Sequence, residues 1–166
     1  MALSNSFNVD GRMGVGPLSQ VDDAATWALN DCLEFATDNG VVECVYLTAG
    51  TGGTAAGSLC VMKAGVATKI ATTGDYAKPL CVAMTAMTAG QYGWFAVKGT
   101  VPLLAGATTT NGAQVYLGAA AGVTVPTVAV GKSILDAVYA EAKTYSGTNI
   151  TPLATIQHPN QEAPNS

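Results

Sequence analysis

The sequence predicts a mainly β fold, a small antiparallel barrel or sandwich preceded by an extended arm and one α-helix, and three observations carry that expectation. Short β-branched and aromatic runs recur from residue 41 to residue 157. Gly-rich turns separate them at Ala64-Gly65, Thr73-Gly74-Asp75, Thr88-Ala89-Gly90, Asn111-Gly112 and Ala121-Gly122. The helical segments that alternating βα units would require are missing between those runs. A chain of 166 residues is the size of one domain.

Residues 1–18 are rich in Asn, Ser and Gly and close with Gly14-Val15-Gly16-Pro17. With several breakers and no periodicity they read as an extended arm. Its apolar residues, Phe7, Val9 and Met13 among them, either dock on a neighbour or belong to a frayed terminus.

Residues 19–40 are expected to form the helix. Ser19 would be its N-cap, Asp22 and Asp23 would lie near the positive end of its dipole, and Gly40 would cap its C-terminus. Val21, Ala25, Ala28, Leu29, Cys32, Leu33 and Ala36 recur at steps of three and four as one apolar stripe, with Trp27 largely off it.

A β-barrel core over 41–157 follows. The first strand is Val41 to Thr48, then comes a Gly-rich loop, and further strands are expected at 58–62, 66–71, 78–87, 91–101, 113–117, 122–125, 132–142 and 151–157. In the 91–98 run, Tyr92, Trp94, Ala96 and Lys98 share one face while Phe95 and Val97 share the other. Both faces are substantially apolar, which implies a core on one side and either a second layer or a subunit interface on the other. Residues 158–166 read as a loose tail.

Composition narrows the function classes. Charged residues make up only 11% of the chain and hydrophobic ones 49%, so Ala, Gly and Thr must cover much of the surface. Such a surface suits burial against partners, because interface cores are depleted in Lys and Glu. The net charge is −4 and the seven basic residues are scattered singly, which argues against nucleic acid and anionic membranes as partners. The longest apolar runs fall short of a bilayer span, and the N-terminus lacks the layout of a secretory signal, so synthesis in the cytosol is expected. Cys32, Cys44, Cys60 and Cys81 have apolar neighbours and read as buried free thiols.

Parts for catalysis are sparse. The single histidine, His158, cannot build a His-based triad or a multi-histidine metal site within one chain. The Gly-rich stretch 50–57 lacks dinucleotide spacing, and Gly131-Lys132-Ser133 leads into an expected strand where a phosphate loop requires a helix. Beyond Glu43 the carboxylates are thinly spread. The expectation is a non-enzymatic protein without catalytic residues, cofactor or metal.

Four runs then resemble a known family: Lys78-Pro79-Leu80-Cys81-Val82-Ala83; Ala89-Gly90-Gln91-Tyr92-Gly93-Trp94-Phe95-Ala96-Val97-Lys98-Gly99-Thr100-Val101; Asn111-Gly112-Ala113-Gln114-Val115-Tyr116-Leu117; and Ser133-Ile134-Leu135-Asp136-Ala137-Val138. Together they resemble the capsid cement, or head decoration, proteins of tailed bacteriophages over roughly residues 50–157. Cys81 stands where such proteins often carry Gly. The resemblance implies a structural virion protein on the capsid outer surface, bound to the major capsid protein and self-associating, with a trimer favoured and a dimer the alternative. Phe7, Val9, Met13, Trp27, Tyr92 and Trp94 are the expected protein contacts. Rival readings are a tail or head-fibre base subunit and, in another class, a small-ligand or sugar-binding barrel or an enzyme acting through its carboxylates, Asp136 included.

Overall fold

The structure is a computed structural model that describes residues 17–71, 78–128 and 132–161, together with the backbone of Phe7 and Asn8. Its twelve strands are β1 (Phe7–Asn8), β2 (Val21–Asp22), β3 (Cys32–Thr37), β4 (Gly40–Ala49), β5 (Leu59–Lys63), β6 (Val66–Lys69), β7 (Leu80–Ala83), β8 (Tyr92–Pro102), β9 (Gln114–Leu117), β10 (Thr124–Val125), β11 (Ser133–Tyr139) and β12 (Leu153–Gln161). They form one mixed sheet, and no helix occurs among the described residues.

The pairings contain a closed circuit. β4 pairs with β6 in parallel, β6 with β5, β5 with β7, β7 with β8, and β8 returns to β4, the last four antiparallel. Cross-strand partners point to the same side of a sheet, so the register sorts the side chains into two sets. Leu47 and Ala49 of β4, Cys60 of β5, Ala67 of β6, Cys81 and Ala83 of β7, and Phe95 and Val97 of β8 pack together inside the circuit, with Met87 beside them. The alternate residues, Cys44, Tyr46, Leu59, Val61, Leu80, Val82, Trp94 and Ala96, join a second and larger cluster outside it. Both faces of the 91–98 run are therefore buried within the chain, and the second layer is intramolecular.

That layer comes from the C-terminal strands. The far half of β8 leaves the circuit and pairs Lys98–Pro102 with Gln157–Leu153 of β12. β12 continues to β11, β11 to β9 and β9 to β10. Val101, Val115, Ala137, Tyr139, Ala154 and Ile156 turn inward onto the circuit. Gly99 makes the departure possible: it sits beside a register shift between Glu43 and Cys44 at φ +116°, a conformation that disfavours any side chain.

The helix expected over 19–40 does not form. Its second half is β3, in which Leu33 and Phe35 are buried while Cys32 and Glu34 are exposed, a period of two. β3 pairs with β4 over its whole length, and Asp38-Asn39 makes the two-residue turn between Thr37 and Gly40. A ladder along β4 buries Leu33 and Phe35 in the large cluster, and that outweighs a helical stripe in which three of seven residues are Ala and Phe35 has no place. Its first half is a non-helical loop pinned by β2 on β8. At the other end β12 runs through Gln161, so His158 belongs to a strand and the expected tail is shorter than 158–166. Residues 162–166 lie outside the described residues.

Candidate functional surface

The N-terminal loop is fastened by a carboxylate. Tyr46 Oη donates to Asp22 Oδ2 at 2.6 Å, Thr26 Oγ1 donates to the same oxygen at 2.7 Å, and Gln20 Nε2 donates to Asp22 Oδ1 at 2.7 Å. Burial alone would raise the Asp22 carboxyl pKa, but the hydrogen bonds from Tyr46, Thr26 and Gln20 together bring it below the ordinary value. A second tie runs from Gln91 Nε2 to Asp23 Oδ1 at 2.9 Å. The two carboxylates expected at a helix N-terminus are instead latches between loop and sheet.

Aromatic rings line the wall behind the latch. Trp94 lies 5.1 Å from both Phe35 and Tyr46, and Tyr46 stacks on Tyr92 at 6.2 Å. Trp94 is only 1% exposed, so it belongs to the core and is no protein contact. Tyr92 and Trp27 are half-buried and pack against the same cluster. Phe7 is placed by its backbone, which pairs with Ala36 at the outer edge of β3. Val9 and Met13 lie outside the described residues.

Three cysteines meet expectation as buried free thiols, and burial pushes the thiols of Cys44, Cys60 and Cys81 up, Cys60 to about 12. Cys32 departs from it, being exposed on β3. Its Sγ lies 3.3 Å from Glu43 Oε1, and Glu43 Oε2 lies 3.9 Å from His158 Nε2. The carboxylate stands between thiol and imidazole, which is not the nucleophile, base and orienting group order of a triad. Among the described residues no group of three His, Cys, Asp or Glu could hold a metal ion.

The remaining feature is the outer face of β8, β12, β11 and β9. Thr100, Thr155, Val138, Gln157, Lys98 and Gln114 share it, as their register requires, and Thr100 and Thr155 hydroxyls lie 3.2 Å apart on it. β11 and β12 are out of step between Leu135↔Asn160 and Ala137↔Ile156, where Asp136 and His158 adopt φ of 55° and 48°. Beside this bulge lies a shallow groove of about 550 Å³ lined by Gln114, Asp136, Ala137, Val138, Thr155, Ile156 and Gln157. The sequence offers Asp136 as a sparse carboxylate of the rival enzyme reading but not as part of this face, because the irregular register that turns it outward leaves no local signal.

Fold and surface define a mainly β protein of one mixed sheet whose strands carry a filled interior and a sparsely charged exterior. No protein-family model matches the chain, and no curated protein matches its sequence.

Proposed function

We propose that this chain is a capsid cement protein of a tailed bacteriophage, a rigid β-barrel that binds the outer surface of the head and reinforces contacts between capsomers. The barrel is the closed circuit of β4, β6, β5, β7 and β8, a small one packed solid by its own side chains. One observation carries the reading: the chain buries most of both faces of β4, β5, β7 and β8 internally and leaves outside a sheet face sparse in charge with isolated exposed valines and leucines, Val41, Leu135 and Val138. A body of that kind has its binding capacity on its exterior. A barrel that holds a small ligand needs interior space, and here Phe95, Leu47 and Met87 occupy it.

The major capsid protein and further copies of the chain are the partners this reading assigns, with repetition over many copies multiplying weak contacts. β1, at the open edge of the sheet on β3, is where an N-terminal arm would begin to reach outward. The test is co-sedimentation of the purified chain with expanded phage heads stripped of decoration. Saturable binding at a fixed copy number is the expected result, and persistent absence from the head fraction would overturn the proposal.

A further inference from the structure

We propose that the outer face of β8, β12 and β11 docks a second copy of this chain about a two-fold axis running along β12, each copy placing Lys98 in the other's groove against Asp136. The inference rests on the self-association assigned above and specifies its face, its symmetry and its anchoring residues.

The register supplies the geometry. On one side of β12, Lys98 is opposite Gln157, Thr100 opposite Thr155 and Pro102 opposite Leu153. On the other side Val138 is opposite Thr155, and Asp136 falls in the bulge between Leu135↔Asn160 and Ala137↔Ile156. Lys98 and Asp136 therefore flank β12 at the same height, each about 4.8 Å from it, the usual strand spacing. Rotation by half a turn about an axis along β12 lays the face on itself and exchanges β8 with β11. Lys98 of each copy then lies over Asp136 of the other, and Thr100 over Val138.

Chemistry agrees with that exchange. Lys98 and Asp136 are both exposed, and neither side chain makes a hydrogen bond or ion pair among the described residues, although Lys98 stands opposite Glu43 in the β4–β8 register. One positive and one negative group that trade places under the axis make the face complementary to itself, as an isologous contact demands. Glu43 and His158, also nearby, already face each other. The groove beside Asp136 has the exposed Val138 and the methyl group of Thr155 to cover the methylenes of a lysine. Gln114 spends its Nε2 on the Ile134 carbonyl, which leaves its side-chain oxygen as an acceptor for the ammonium. Between the two ion pairs lies Gln157 of β12, and the uncharged Thr100, Thr155 and Val138 follow two residues further along the same strands.

Sedimentation equilibrium of the full chain tests the pairing, with melting curves to verify that each variant is folded. A dimer is expected, weakened roughly tenfold by Lys98→Asp or by Asp136→Lys alone and restored when the two are combined. Asp136→Asn, which suits the left-handed backbone there, should weaken the dimer without reversing the charge preference. Thr155 lies on the axis, so a Thr155→Cys chain in a Cys32→Ser background should cross-link to itself with a bismaleimide whose arm spans the roughly 10 Å between stacked sheets. A monomer at every concentration, a trimer, charge variants that associate like the parent, or failure of residue 155 to cross-link would each overturn the pairing. Head binding is measured separately, so a chain that decorates heads as a monomer sinks this inference and leaves the capsid reading standing.

Discussion

Raising the pH from 7 to 10 should remove about 4 kcal/mol of folding stability through three buried thiols. Cys44, Cys60 and Cys81 are each no more than 1% exposed, and desolvation holds their thiols well above the ordinary value of 9.0. Folded pKa values raised in this way give stability that is fully present below the unfolded pKa. It is lost as pH climbs from there toward the folded value, because the unfolded chain releases protons that the folded chain keeps. One pH unit above the unfolded value, each thiol has given up about 1.4 kcal/mol, or about 4 kcal/mol for the three. That is a large part of the 5–15 kcal/mol that roughly brackets the stability of a domain. Urea unfolding at pH 7, 8, 9 and 10 under reducing conditions should show a midpoint that holds to about pH 8 and then falls steeply. The comparison chain is Cys44→Ala/Cys60→Ala/Cys81→Ala, whose midpoint should decline far less. A parent midpoint that stays level to pH 10, or an equal decline in the alanine chain, would refute the reasoning.

Two further perturbations probe the latch and the bulge. Tyr46→Phe removes the donor to Asp22 and should cost about 1–2 kcal/mol at pH 7, at the low end for a bond to a charged group because Asp22 is half-exposed. Since the Asp22 pKa is lowered on folding, its contribution is present above the unfolded value of 3.8 and fades as pH falls through the folded one. Chemical denaturation should therefore find the two chains closer at pH 3 than at pH 7, and an equal gap at both would contradict the latch. Gly99→Ala forces a side chain into φ +116° with its Cβ 2.7 Å from the Val41 carbonyl oxygen and 3.0 Å from Val42 Cα. A loss of about 2–4 kcal/mol is expected from strain and crowding together, and an unchanged melting temperature would show that the bulge relaxes at no cost.

Strand positions were legible because β-branched runs and Gly turns are local signals. The expected runs 58–62, 66–71 and 113–117 lie within a residue or two of β5, β6 and β9. The helix over 19–40 failed on a choice of period. Its Ala and Cys positions satisfy steps of three and four, but Leu33 and Phe35 alternate with Cys32 and Glu34, and the turn that sets their register is only two residues long. What favours the strand is β4, which follows that turn and gives β3 a full ladder. The circuit itself was not legible at all. It depends on β4 meeting β6 in parallel and β8 from the other side, pairings between residues far apart in the chain. For the same reason the face of Lys98 and Asp136 is invisible in sequence: two residues on β8 and β11 become neighbours only through β12.

The closed circuit also has a consequence for how the protein is made. β4, β5, β6 and β7 all emerge before β8, and β8 is the strand that joins β7 back to β4. Until residues 92–102 arrive, β4 and β7 each present a bare edge, and the small cluster that Phe95 and Val97 complete remains open to water. Such non-local closure puts folding in the slower, millisecond-to-second regime of β proteins, about the time scale on which ribosomes add the following residues. A chain stopped before β8 would thus be an unfinished ring whose open edges seek one another, and fragments ending near residue 91 should collect in the insoluble fraction.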